Sequence, residues 1–305
     1  MPIKVPDRLP TAKILEGEGV ELIQDATAVR QDIRPMRILL LNLMPMKVKT
    51  EVQIARLLSH TPLQVELSLL TTASYIPTTT PAEYLKEFYR TLEQVREERF
   101  DGMVITGAPV ERMPFEEVAY WQELREIFEW AKRHVFRRFH ICWGAQAALY
   151  VDYGIGKVAY PDKLFGIYPQ RVREPHSPLL RGFPDEVFTP VSRYTGISRE
   201  DVAKHSDLRI LLDSDETGLC LLQNRRGDVY IMNHLEYDTD TLKDEYVRDL
   251  TAESHIAVPK DYFPGNDPSK RPVNMWRPYG YLLFSNWIYH LYEDTPYDLR
   301  DLDKR

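Results

Sequence analysis

Val135-Phe136-Arg137-Arg138-Phe139-His140-Ile141-Cys142-Trp143-Gly144-Ala145-Gln146-Ala147-Ala148 is the stretch on which the fold turns. Val135 to Ile141 reads as a strand, weakened by Arg137 and Arg138, and Gly144 to Tyr150 reads as the small-residue start of a buried helix. A strand that turns this sharply into a helix at a cysteine is a nucleophile elbow in outline. A sulfur at a helix N-terminus feels the positive end of the peptide dipoles, which favours thiolate over thiol. The N–H that follows it can face a developing oxyanion. Taken alone, Cys142 would be assigned to packing, since a lone cysteine commonly behaves as a small buried hydrophobe.

Working outward, Arg37 to Asn42 is a short continuous apolar run of the kind buried on both faces of a parallel sheet. Thr50 to Ser59 follows with helical spacing, then Leu63 to Leu70 as strand, Pro81 to Arg99 as a charged amphipathic helix, Gly102 to Thr106 as strand and Phe115 to about His134 as helix. This alternation predicts a doubly wound, mostly parallel α/β sheet. Beyond Tyr150 the rhythm changes to short β-like runs at Val187 to Val191, Leu208 to Leu212, Gly218 to Leu222 and Val229 to Met232, which predict antiparallel additions in the C-terminal half. Asp238 to Ser254 reads as helix, Val258 to Pro278 as a Pro-rich loop and Tyr279 to Leu291 as a closing helix. One domain over 1–305 is expected, with residues 1–34, polar and weakly periodic, as an N-terminal arm.

The composition narrows the function classes. A chain of 305 residues with 43% hydrophobic residues can bury a sizeable core. A net charge of -7 with scattered Lys and Arg gives no footprint for nucleic acid. Two cysteines in a chain of this size fit a reducing compartment. No segment approaches the roughly 18 apolar residues of a membrane span, and no signal peptide opens the chain, so a cytoplasmic protein without a membrane partner is expected. The eight histidines do not cluster at ligand spacing, so no metal is implied.

About ninety residues beyond the cysteine, Val229 to Tyr237 runs as a strand into a polar end carrying His234 and Glu236. In extended chain these two point to one face, where a carboxylate on one imidazole nitrogen would fix the tautomer and free the other nitrogen to take a proton. An isolated H-x-E is commonly just a solvated strand end; the order Cys, then H-x-E, gives it weight, being similar to the triad of class I glutamine amidotransferases. Gly107-Ala108-Pro109, after a strand, is a candidate for a second oxyanion donor or an ordinary loop. Cys220, inside Leu219-Cys220-Leu221-Leu222, is assigned to the core.

Several stretches together resemble the homoserine O-acyltransferase family of methionine biosynthesis: Asn42-Leu43-Met44-Pro45, Thr50-Glu51-Val52-Gln53, Thr106-Gly107-Ala108-Pro109-Val110-Glu111, Tyr120-Trp121, His140 to Gln146 and Asn233-His234-Leu235-Glu236-Tyr237. The resemblance implies a fold related to class I glutaminases and a ping-pong reaction in which an acyl-CoA acylates a cysteine before homoserine attacks the thioester. It implies Cys142 as nucleophile, His234 as proton acceptor and Glu236 as its partner. It also points to Lys163, Ser192 and Arg248 as substrate contacts, with Arg193 a weaker candidate. A guanidinium suits the carboxylate of homoserine, which it can hold with two parallel bonds.

Within that family the position of Glu111 is implicated in acyl choice, glutamate going with acetyl and glycine with succinyl. The expected activity is therefore transfer of acetyl from acetyl-CoA, a co-substrate rather than a cofactor, to L-homoserine; succinyl transfer is the alternative. More remote readings are a class I glutaminase or an inactive binding protein of the same fold. Glutaminases of this class carry glycine two residues before the cysteine, where this chain has His140, a departure expected to reshape the approach to the sulfur. A homodimer is the expected assembly.

Overall fold

The apolar run at Met36–Leu41 lacks alternation because both of its faces are covered. In the computed structural model, Ile38 and Leu40 join one hydrophobic core while Leu39 and Leu41 join another on the opposite side of the sheet. The structure describes residues 3–4, 9–17, 22–23, 34–75, 79–252 and 256–304.

In chain order the elements are β1 (Ile3–Lys4), α1 (Pro10–Gly17), β2 (Leu22–Ile23), β3 (Met36–Leu41), α2 (Lys47–Leu58), β4 (Val65–Leu70), α3 (Ala82–Phe88), β5 (Tyr89–Arg90), α4 (Leu92–Val95), β6 (Phe100–Ile105), α5 (Trp121–His134), β7 (Val135–Ile141), α6 (Trp143–Tyr153), β8 (Lys157–Val172), β9 (Glu186–Ile197), α7 (Arg199–Ala203), β10 (Arg209–Ser214), β11 (Gly218–Gln223), β12 (Val229–Ile231), α8 (Thr241–Ala252) and α9 (Arg277–Asp294). They build one sheet in the order β2-β1-β4-β3-β6-β7-β12-β11-β10-β8-β9, with β5 added at β4. Pairing is parallel from β2 through β12 and antiparallel from β12 to β9. The doubly wound sheet with antiparallel additions is thus as expected. Helices α2 and α9 cover one face through Ile54, Leu57, Phe284 and Trp287; α5 and α6 cover the other through Leu124, Phe128, Ala147 and Leu149.

Several boundaries differ from expectation. The helix expected over Pro81 to Arg99 is interrupted: after α3 the chain extends at Tyr89–Arg90 to pair with β4, and Thr91 restarts it as α4 with a reciprocal capping box to Gln94. The extension lets the Tyr89 hydroxyl reach the buried Glu51 carboxylate at 2.6 Å. Phe115–Glu117 is a separate 3-10 turn before α5. The helix after Asp238 starts at Thr241, and the expected end at Ser254 lies outside the described residues. Of the N-terminal 34 residues, the described parts extend the sheet as β1 and β2 and set α1 near α2, where the Thr11 hydroxyl donates to Glu51.

The largest difference is the β8–β9 ribbon. Lys157–Val172 was not among the expected strands, and it contains Pro161, Gly166 and Pro169, residues that weaken a strand. The strand tolerates them: its pairing with β9 skips from Ala159 to Leu164, so Pro161 falls in the irregularity, and Gly166 bridges to Lys260. Among the described residues no helix is long and apolar enough to cross a membrane.

Candidate active site

Cys142 stands between the end of β7 and the first residue of α6 with φ 52° and ψ -120°. A side-chain-bearing residue avoids this conformation, which costs on the order of 1–3 kcal/mol, so the surroundings must enforce it. They do so from both sides: the Cys142 N–H donates to Ile231 O at 2.7 Å, and its carbonyl accepts from the N–H groups of Ala145 and Gln146 at 3.0 and 3.1 Å. Gly144 permits the turn, since a Cβ there would lie 2.5 Å from Thr106 O. A Cβ at Gly107 would sit 3.3 Å from Cys142 Cβ and 3.7 Å from Trp143 N, so glycine keeps the sulfur and the following N–H accessible.

His234 lies just beyond the end of β12, the strand next to β7, and its backbone N–H is anchored on Pro190 O at 2.9 Å. Its Nδ1 is 2.7 Å from Glu236 Oε1, and its ring stacks on Tyr237 at 4.1 Å with 16° between planes. Both the imidazole and Cys142 border one cleft, and Cys142 lies close enough to act on the imidazole's charge. Burial by itself would push the imidazole pKa down, but the Glu236 carboxylate and the neighbouring Cys142 outweigh it and hold the group well above its ordinary value. All three side chains are buried or nearly so. Cys142, His234 and Glu236, which the chain order singled out, are therefore brought together.

The sulfur opens into a cleft of about 530 Å³, which Lys163, Ser192, Arg248, Glu111 and the Gly107–Pro109 loop also border. The β8–β9 register sets Ser192 opposite Phe165, two residues along from Lys163. Lys163 Nζ is 2.7 Å from Asp249 Oδ2 and 3.7 Å from Glu245 Oε2. Arg248 reaches Asp249 Oδ1 through both its Nε and a terminal nitrogen at 2.7 Å, leaving much of its guanidinium towards solvent. Burial opposes ionisation of Asp249, yet the hydrogen bonds from Arg248 and Lys163 hold its carboxyl below the usual range. Glu111 Oε2 accepts from Tyr194 N at 2.9 Å and lies 3.1 Å from the Thr195 hydroxyl, which is also 2.9 Å from Gln146 Oε1. The half-buried Glu111 carboxylate is thus fixed against β9.

Two residues singled out from sequence lie elsewhere. Arg193 is fully buried, facing away from the cleft, with its guanidinium on Tyr160 Oη (2.9 Å) and the carbonyls of Thr195 (3.0 Å) and Thr217 (2.6 Å). His140 does not border the cleft: its ring is buried and stacks on Tyr230 at 4.8 Å. Cys220 is buried in the core, and burial pushes its thiol up to about 12.

Sequence reading missed Glu245, Asp249 and Tyr237, which line the same cleft. Glu245 accepts from the Ser192 hydroxyl and, at 2.8 Å, from Tyr237 Oη. The available signal was the helical spacing of Glu245, Arg248 and Asp249, which puts three charges on one side of α8. Among the described residues no group of three or more His, Cys, Asp or Glu side chains is arranged to hold a metal ion.

A family model described as homoserine O-succinyltransferase matches residues 2–297. Proteins called homoserine O-acetyltransferase from Brucella canis, Brucella suis and Brucella abortus are each 52% identical over 305 residues, covering all of both chains. Among solved structures, a glutamine amidotransferase from Thermotoga maritima aligns with a TM-score of 0.57 at 14% identity, covering 86% of this chain and 100% of that one. A glutamine amidotransferase from Methylobacillus flagellatus gives 0.52 at 13% identity, covering 85% and 95%. At that identity the likeness concerns the fold alone.

Proposed function

Since the chain belongs to the homoserine O-succinyltransferase family, we infer that it esterifies the hydroxyl of L-homoserine with acetyl from acetyl-CoA, through a thioester on Cys142. The observation that carries the reading is Cys142 beside the hydrogen-bonded pair His234–Glu236, at a cleft that offers charges of both signs. A zwitterionic acceptor needs both: the outward part of the Arg248 guanidinium suits its carboxylate, and Glu245 and Asp249 suit its ammonium.

The raised imidazole gives the two half-reactions their order. In the first, the Cys142 sulfur attacks the thioester carbon of acetyl-CoA, the C–S bond to CoA breaks, and the His234 imidazolium supplies a proton to the departing sulfur. The oxyanion formed on the way is suited to the Trp143 N–H, beside the space that Gly107 leaves open. In the second, the sulfur is acylated, so the influence of the free Cys142 sulfur that helped to raise His234 is gone. The imidazole, kept in one tautomer by Glu236, then takes the homoserine hydroxyl proton as the oxygen attacks, and Cys142 leaves with the electron pair.

Glu111 favours acetyl over succinyl, because a succinyl tail reaching it would set carboxylate against carboxylate. The relatives named homoserine O-acetyltransferase support that choice, while the family model's description keeps succinyl as the second reading. Both thiols are free, in keeping with a reducing, cytoplasmic setting, and the assembly proposed is a homodimer. Product analysis after incubation with homoserine and either donor tests the proposal: O-acetylhomoserine from acetyl-CoA is expected, and failure to esterify homoserine with either donor would overturn it.

A further inference from the structure

A second cavity, of about 270 Å³, lies over the loops that follow β3, β4 and β6. Open α/β sheets take their ligands beyond these C-terminal strand ends. It shares Pro45, Pro109, Val110 and Met113 with the cleft that holds Cys142, so the two spaces adjoin. Their walls differ in kind. The cleft is dense with charge, whereas the second cavity is bordered by apolar side chains such as Leu43 and Val118, interspersed with hydroxyls of Thr71, Thr72, Tyr75 and Tyr120. The single charged side chain of its lining, Lys47, is buried and donates to the carbonyl of Asn42.

A zwitterionic amino acid has no pair of counter-charges to meet in such a space. A nucleotide does not fit it either, since cavities that enclose ligands of that size start at roughly 300 Å³. A narrow, uncharged chain with widely spaced amides matches the pattern of apolar wall and hydroxyl. Tyr120 links the cavity to the chemistry, because its ring meets Tyr75 at 5.6 Å on one side and Trp143, the residue after the nucleophile, at 6.2 Å on the other.

We propose that this cavity is the channel for the pantetheine arm of the acyl-CoA donor. The arm brings its thioester to Cys142 from the β3–β4–β6 side, and homoserine enters from the side of β8, β9 and α8. The inference rests on the acyl-CoA reading above and adds the route by which the donor arrives.

Ala119, exposed on the cavity lining, is the place to test it. Ala119→Trp narrows the channel from an exposed position, and circular dichroism checks the fold. Acetylation of Cys142 is followed with acetyl-CoA and with S-acetyl-N-acetylcysteamine, which carries the same thioester on a stub of the arm. The ratio of efficiencies, acetyl-CoA over the short donor, is expected to fall about tenfold or more in the variant. In the unsubstituted chain pantetheine should compete with acetyl-CoA. An unchanged ratio in a folded variant, or no competition by pantetheine, overturns the channel. Should the unsubstituted chain accept acetyl from neither donor, the acyl-transfer reading itself fails, and that outcome is distinct.

Discussion

Replacing Glu111 separates charge from volume in the choice of acyl group. The carboxylate is half-buried and held by Tyr194 N at 2.9 Å, so it cannot swing aside when a second carboxylate arrives. Two unit charges about 4 Å apart repel by about 1 kcal/mol in a water-like medium and by about 4 kcal/mol at the effective dielectric near a protein surface. A half-buried site lies between these limits, which translates to a discrimination of roughly fivefold to a thousandfold in kcat/KM. Glu111→Gln keeps the shape and an oxygen to accept from Tyr194, so it should recover the electrostatic part alone. Glu111→Gly also opens space, and should let succinyl-CoA compete outright at a stability cost of about 1–3 kcal/mol for the lost acceptor. The assay is kcat/KM for acetyl-CoA and succinyl-CoA at saturating homoserine, repeated at high salt, where the discrimination by the unsubstituted chain should weaken and that by Glu111→Gln should not. A Gln variant that leaves the ratio unchanged while Gly shifts it would remove charge as the cause, and an unsubstituted chain preferring succinyl-CoA would refute the reasoning entirely.

Cys142→Ala should abolish CoA release with the fold intact by circular dichroism, whereas Cys220→Ala, in the core, should retain transfer; the reverse pattern would exchange their roles. His234→Ala should be the more damaging of the pair with Glu236→Ala, since the imidazole moves protons in both half-reactions and the carboxylate orients it; steady-state kinetics showing Glu236→Ala markedly worse would contradict this. Arg248→Ala should spare thioester formation and cripple its discharge by homoserine, read by quenched-flow mass analysis of each step. Acid should destabilise the fold through His140, whose pKa burial first, and the Arg138 charge next, depress to about 4. Above the unfolded value near 6.5 its contribution is intact, and as pH falls towards 4 only the unfolded chain takes up the proton, losing roughly 3 kcal/mol. Urea midpoints at pH 7 and pH 5 should therefore differ less in His140→Phe than in the unsubstituted chain.

The parallel half of the sheet was legible because buried strands such as Ile38 to Leu41 advertise themselves as unbroken apolar runs. Arg137 and Arg138 obscured β7, since their solution is not local: Arg138 is buried against Asp228 at 2.7 Å and Asp152 at 3.0 Å, partners far along the chain or on the next helix. The β8–β9 ribbon does not read as a strand pair because β8 carries Pro161, which falls in the irregular pairing, and Pro169, and with the ribbon goes the reason Lys163 and Ser192 come together. Cys142, His234 and Glu236 were readable from local geometry and order. Glu245 and Asp249 were not, because an acidic residue on a helix surface looks alike whether solvent or a cleft lies beyond it. Arg193 misled for the opposite reason: its neighbour faces the cleft, and alternation along β9 turns Arg193 inward.

The central claim is that acyl transfer passes through Cys142, and mass analysis of the intact chain after brief exposure to acetyl-CoA without homoserine tests it most directly. One acetyl group is expected, mapped to Cys142, absent in Cys142→Ala and discharged as O-acetylhomoserine when homoserine is added. Turnover with both substrates but no acetyl on Cys142, or an acetyl there that homoserine leaves in place, would contradict it.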